Sequence, residues 1–190
     1  MAFRRETTWA GIGEKVGGHF FLGGADIFEG SAFRLDGWPD ASAREVSVNN
    51  LRAGPGLGGA LCTSFFFAFD TPMLFAQPRS KKADWGINVS IPEEKLGFGK
   101  ASLKIFSGLT KGTDMLKSLT AAHIDGLRTL ASMFYTAIGD LPEGLQKSEF
   151  NTFKYFTVDL PVGGTGLEAS MFLSWGELEV GGRMTFVPPV

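Results

Sequence analysis

Alternating apolar and polar positions predict β-strands over most of the first ninety residues. The clearest alternation covers residues 85–92, where Trp85 and the apolar residues after it occupy one face. In residues 60–69, the side chains of Phe65, Phe67 and Phe69 are predicted to share one face of a strand. Further strands are predicted at residues 7–12, 16–22, 44–51, 153–160, 167–175 and 177–187.

Glycine-rich segments separate several of these predicted strands, and we interpret them as turns. Residues 13–15 are expected to close a hairpin, and residues 53–59 a second turn. The segment 54–59 also matches the G-x-G-x-x-G spacing of dinucleotide-binding loops. Such a loop needs a helix directly after it, because the helix N-terminus binds the pyrophosphate. Residues 61–67 favour a strand instead, so the hairpin-turn interpretation is preferred.

The middle of the chain changes to a helical period. Residues 99–109 and 114–139 place apolar side chains three or four positions apart, which predicts two amphipathic helices. The second helix carries Phe134 on its apolar stripe, and His123 lies one turn from Leu119 and Leu127. A histidine in that position is interpreted first as a core residue.

Together these patterns predict an α+β fold that is mainly antiparallel β. We expect eight to ten short strands in a curved β-sandwich or partly closed β-barrel, with a helical hairpin packed on the sheet. The chain is expected to form a single domain, residues 1–190, with β-structure at 6–92, a helical insertion at 93–147 and β-structure again at 153–187.

Composition narrows the classes of function. The net charge of −2 provides no general positive field, so nucleic-acid binding is not expected. The single cysteine, Cys62, excludes an internal disulfide and a multi-cysteine zinc site. No secretory signal or membrane helix is recognised, and a cytoplasmic location is expected. The 26 glycines and 18 phenylalanines instead indicate a bent sheet around a bulky aromatic core.

No catalytic constellation is found in the sequence. The two histidines are too few for a three-ligand metal site, no G-x-S-x-G elbow occurs, and Cys62 lies in an apolar strand that should leave its thiol inert. The chain is therefore predicted to be a non-enzymatic protein, with no cofactor and no metal.

The leading hypothesis is a protein that binds an apolar or lipid-like ligand between the curved sheet and the helical pair. The residues proposed to line this space are aromatic side chains of the strands and the inward stripe of the long helix: Phe65, Phe67, Phe69, Trp85, His123 and Phe134. The lysines near its rim would meet an anionic head group.

Two alternatives remain open. The first is a protein-interaction or assembly module with a solid core, which would contact its partner through Trp38, Lys100 and Lys104. The second is an amphipathic sheet that inserts hairpins into membranes, an idea motivated by the uncharged run from residue 53 to residue 69. The sequence does not identify the ligand, the partner or the oligomeric state.

Overall fold

A computed structural model describes residues 3–37, 43–90, 121–140, 151–161 and 169–184 of the chain. Its regular elements are five strands and one helix: β1 (Trp9–Arg34), β2 (Ala43–Phe69), β3 (Arg79–Ser90), α1 (Ala121–Ile138), β4 (Asn151–Pro161) and β5 (Ala169–Met184). Single 3₁₀ turns occur at Arg5–Thr7 and Leu74–Ala76. The described chain is therefore mainly β.

Strand β2 organises a closed mixed β-barrel. One of its edges pairs with β1 along nearly the whole strand. Its other edge pairs with β5 through residues 43–57 and with β4 through residues 62–69. Strand β3 lies between β4 and β5 and hydrogen-bonds to both, which closes the sheet. Counting the two halves of β2 separately, the barrel has six strands.

The prediction of eight to ten short strands is wrong in length and number for the described residues. Residues 13–15 and 53–59, expected to be turns, lie inside β1 and β2. Residues 13–15 pair with residues 62–64 of β2, and the glycine-rich segment of β2 pairs with later residues of β1, as in Gly59 opposite Gly18. These pairings satisfy the backbone hydrogen bonds that a turn would otherwise leave to water, so the glycine-rich segments continue as strands.

The glycines instead let β1 fold back against itself. A β-carbon added at Gly13 would lie 2.1 Å from the carbonyl oxygen of Glu29, so the two halves of β1 touch through their backbones. Phe21 has a φ of 55°, and the β1–β2 register shifts between Phe21 and Gly23. A left-handed residue and a bulge increase local bending, and the paired strands β1 and β2 bend together at this point.

The predicted helical hairpin is also corrected, because the described residues contain one helix. Helix α1 corresponds to the second predicted helix, 114–139, and the first, 99–109, lies outside the described residues.

Strands β3 and β4 are parallel, which the mainly antiparallel prediction did not include. Parallel neighbours need a long crossover connection, and residues 91–150, which contain α1, provide it.

Two apolar clusters stabilise the fold. The first lies between α1 and the outer face of the sheet, where Phe67 and Phe69 are fully buried against Leu127 and Ala131. The second is formed by the opposite faces of β1, β2 and β4, around Phe28, Phe66 and Phe153, and is closed by the 3₁₀ turn at Leu74–Ala76. Alternate residues of β2 therefore belong to different clusters, as the period of a strand requires.

Candidate functional site

The aromatic side chains predicted to bind a ligand are largely brought together by the fold. Phe65, Phe67 and Phe69 are buried in the cluster beneath α1, with Trp85 and Phe134 partly buried against it. Of the other predicted residues, His123 lies within α1 but its side chain is outside the described set, and Trp38, Lys100 and Lys104 lie outside the described residues.

The rings of this cluster contact one another directly. Phe134 stacks on Phe156 with centroids 3.9 Å apart and planes within 4° of parallel. Phe67 lies 5.8 Å from Phe134 and 4.9 Å from Phe65, again between centroids. The two distances from Phe67 are typical of packed aromatic pairs, about 4.5–7 Å, and the stacked pair is closer still. The described part of the interface between α1 and the sheet is thus an aromatic layer in mutual contact.

Inside the barrel, the strands present polar side chains that the sequence analysis did not single out. The carboxylate of Asp159 is fully buried and forms an ion pair with Lys15. It also accepts hydrogen bonds from Ser64 Oγ at 2.7 Å and from Asn88 Nδ2 at 3.0 Å. A buried carboxylate needs such donors, because a charge removed from water is costly unless it is paired.

Two more ion pairs are buried among the described residues. Arg52 Nε lies 2.5 Å from Asp26 Oδ2, and Asn50 donates to the other oxygen of Asp26 at 3.0 Å. The guanidinium of Arg52 also stands 4.3 Å from the centroid of the Phe172 ring. Lys82 pairs with Asp84 farther along the wall. The interior therefore combines an apolar cluster with a zone of paired charges.

Both tyrosines of the chain lie near acidic groups. Burial raises the pKa of Tyr135 to about 12, and the negative charge of Asp70 adds to this effect. Its hydroxyl donates a 3.2 Å hydrogen bond to Asp70 Oδ2, which favours the neutral phenol. Burial likewise raises the pKa of Tyr155, and the charge of Asp84 acts in the same direction. Each phenol is thus held in its neutral form.

We expect the folded protein to show no tyrosinate absorbance near pH 10, the ordinary pKa of the side chain. Because the folded-state pKa lies above the unfolded one, this contribution to stability is complete below pH 10 and is lost as pH rises toward 12. Absorbance at the tyrosinate band, followed together with circular dichroism, checks this. Two ordinary ionisations near pH 10 in a chain that remains folded would contradict it.

An open groove of about 460 Å³ crosses the wall formed by β1, β2 and β5. Its apolar walls are Val16, Ile27, Leu51 and Trp175, with Ala25, Leu51 and Trp175 directly opposite one another on three neighbouring strands. Its polar lining includes the buried residues Asp26 and Asn50, with Asn49 and Glu177 on the outer face. The groove thus combines an apolar wall with a few polar groups, as small-molecule sites commonly do.

One buried oxygen lies behind this groove, on the inner face of the barrel wall. The side-chain oxygen of Asn50 has no hydrogen-bond partner among the described residues. It lies 2.8 Å from the position that a β-carbon of Gly176 would take, and Gly176 also lines the groove. The glycine at position 176 leaves room for the Asn50 side chain, whose amide nitrogen donates to Asp26 inside the barrel.

The bend of the β1–β2 ribbon adjoins the groove and carries exposed apolar side chains. We call this surface the apolar bend; its residues are Phe20, Phe21, Leu22, Leu57 and Leu61, each more than half exposed. Beneath it, the imidazole of His19 is buried, and its Nε2 lies 2.6 Å from the carbonyl oxygen of Gly54. This contact ties the bend in β1 to the corresponding segment of β2.

In the part of the chain that the structure describes, no group of three or more His, Cys, Asp or Glu residues is arranged to hold a metal ion. No described helix is long and apolar enough to cross a membrane. Comparison of the chain with known protein families, with curated proteins and with solved structures finds no match. The candidate site is therefore argued from the geometry of this chain alone.

The sequence analysis missed the groove and the buried charges for the same reason. The strands were predicted from their apolar positions alone. The polar residues that point inward from β1, among them Lys15 and Asp26, were therefore not considered together. No single alternation marks this groove, because Val16 and Ile27 are an odd number of positions apart and the β1–β2 register shifts between Phe21 and Gly23. Which of the two faces was the interior depended on strand pairing.

Proposed function

We propose that this protein is a non-enzymatic binding protein for an apolar or lipid-like ligand, held in the groove on the barrel wall. The observation that carries the proposal is the groove itself, with its exposed apolar walls. Its volume of about 460 Å³ falls within the range of small-molecule sites, roughly 300–1,000 Å³.

The residues that line the groove favour a ligand with an apolar body and a single polar end. Val16, Ile27, Leu51 and Trp175 offer apolar surface, and each is at least one-third exposed in the absence of a ligand. Covering such surface is favourable by about 25 cal/mol per Å². The exposed side chains of Asn49 and Glu177 also line the groove, and both can accept a hydrogen bond from the polar end of a ligand.

This proposal places the ligand on the barrel wall rather than between the sheet and the helix. The aromatic side chains beneath α1 contact one another, as the stacking of Phe134 on Phe156 illustrates. A ligand there would have to separate these rings. The groove needs no such rearrangement, because its walls are already exposed.

Filling the groove is expected to weaken the binding of an apolar probe. Ala25 is an exposed strand residue in the groove lining, and Ala25→Trp would occupy the space opposite Leu51 and Trp175. We expect the affinity for the neutral fluorescent probe N-phenyl-1-naphthylamine to fall about tenfold or more, since the probe loses most of its buried apolar contact. Titration of probe fluorescence measures the change.

Ala53→Trp provides the matched control, because Ala53 is also an exposed strand residue, in β2, and does not line the groove. Equal affinity in the wild type and in both variants would place the probe elsewhere and overturn the groove assignment. No binding by the wild-type protein would remove the ligand hypothesis and favour the interaction-module alternative.

A further inference from the structure

Among the described residues that line the groove on the barrel wall, the charged side chains are Asp26 and Glu177. Asp26 is buried and paired with Arg52, so its charge is already balanced inside the barrel. Glu177 is exposed on the outer face of the wall, and the ion pairs of the described residues do not include it. The charge that this lining presents to a ligand is therefore negative.

Strand pairing arranges the outer face of this wall in rows that change from apolar to acidic. Three successive rows cross β1, β2 and β5: Ala25, Leu51 and Trp175; then Ile27, Asn49 and Glu177; then Glu29, Ser47 and Glu179. Neighbouring rows are roughly 7 Å apart, because alternate residues of a strand share a face. A ligand whose apolar body covers the first row therefore has its polar end beside Glu177.

The cation that faces Glu177 across the sheet is Lys81, its register partner on β3. Lys81 is exposed, is not among the described lining residues of the groove, and forms no ion pair with Glu177. In the third row, the carboxylate of Glu179 is paired with Arg79 at 3.1 Å. Of these two carboxylates, that of Glu177 is thus the one left for a ligand.

Trp175 adds a second feature that favours a positive charge in the groove. Its side chain is 36% exposed and lines the groove two residues before Glu177, on the same face of β5. A cation within about 6 Å of an indole ring is attracted to the face of that ring. An indole and a carboxylate on one wall therefore favour an ammonium group over a neutral or anionic end.

We propose that the polar end of the ligand is a protonated amine, so that the groove selects a cationic amphiphile. This inference rests on the proposed binding function and names the class of its ligand. The ammonium group donates to the carboxylate of Glu177 and to the side-chain oxygen of Asn49, both of which line the groove. A fatty acid would instead place its carboxylate beside that of Glu177, and like charges repel.

Three ligands with the same ten-carbon chain test the proposal: decylammonium, decanol and decanoate. Each is titrated, below the concentration at which it forms micelles, into the protein with bound N-phenyl-1-naphthylamine, and the loss of probe fluorescence gives its affinity. We expect decylammonium to bind the wild type about three- to tenfold more tightly than decanol, the effect of an exposed ion pair together with a cation–π contact. Decanoate should bind more weakly than decanol.

Substitutions of Glu177 should change this order. In Glu177→Gln, the ratio of decylammonium affinity to decanol affinity is expected to fall by about threefold or more, because the carboxylate is lost. Glu6→Gln removes the same charge from an exposed acid outside the groove and should keep the wild-type ratio. Glu177→Lys should reverse the preference, so that decanoate binds more tightly than decylammonium.

The outcomes separate this inference from the proposed function. If neither the probe nor any of the three ligands binds, the proposed function and the ligand class are both wrong. If decanol binds and decylammonium binds no more tightly, or if Glu177→Gln and Glu6→Gln keep the same affinity ratio, the groove remains a binding site and the cationic ligand class alone is overturned.

Discussion

Replacing Asp159 by alanine is expected to lower the free energy of unfolding by about 3–5 kcal/mol, a large share of the stability of a typical domain. The carboxylate of Asp159 pairs with Lys15 and accepts hydrogen bonds from Ser64 and Asn88, all inside the barrel. Without it, the buried ammonium group of Lys15 loses the carboxylate of Asp159 as a partner. Urea denaturation followed by circular dichroism measures the change.

Two further variants test whether the loss of stability in Asp159→Ala comes from a buried charge. Glu179→Gln disrupts the exposed pair with Arg79, whose atoms lie 3.1 Å apart, and should change stability by less than about 1 kcal/mol. Lys15→Met combined with Asp159→Leu removes both buried charges and should recover much of the stability lost in Asp159→Ala. Equal losses in the Asp159→Ala and Glu179→Gln variants would show that the interior is open to water.

Gly13→Ala is expected to destabilise the barrel by about 1–3 kcal/mol or more, because the added methyl group has no space. Its β-carbon would lie 2.1 Å from Glu29 O and 2.6 Å from the Cα of Gly30. Both are backbone atoms, so relief requires the two halves of β1 to move apart. Thermal unfolding and urea denaturation should both report the loss.

The matched substitution Gly126→Ala should have the opposite sign. Gly126 lies in α1, and nothing comes within 4 Å of a β-carbon added there. Alanine is better than glycine in a helix interior by about 1 kcal/mol, so this variant should be more stable than the wild type. If Gly13→Ala were as stable as Gly126→Ala, the close approach of the two halves of β1 would be wrong.

The sequence predicted elements best where one local period persisted. The apolar stripe of residues 114–139 located α1, and the alternation around Phe65, Phe67 and Phe69 correctly placed these rings on one face. The prediction of turns at the glycine-rich segments was wrong for a physical reason. Glycine is compatible both with a turn and with close contact between strands, and only the pairing of β1 with β2 decides between them.

The candidate site, in contrast to the helix, could not be predicted from a local pattern. Val16, Ile27, Leu51 and Trp175 are far apart in the sequence, and no local pattern joins them. They meet because β2 pairs with β1 on one edge and with β5 on the other. The buried ion pairs are equally non-local: Lys15 and Asp159 come from the two ends of the chain.

By itself, the sequence of this protein determined a mainly β-fold with an amphipathic helix and a bulky aromatic core, because side-chain period and hydrophobicity are local properties of the chain. Tertiary structure alone decided the closure of the barrel, the parallel pairing of β3 with β4, and which face of each strand points inward. These features depend on hydrogen bonds between residues distant in sequence. The groove and the apolar bend exist only once those hydrogen bonds have formed.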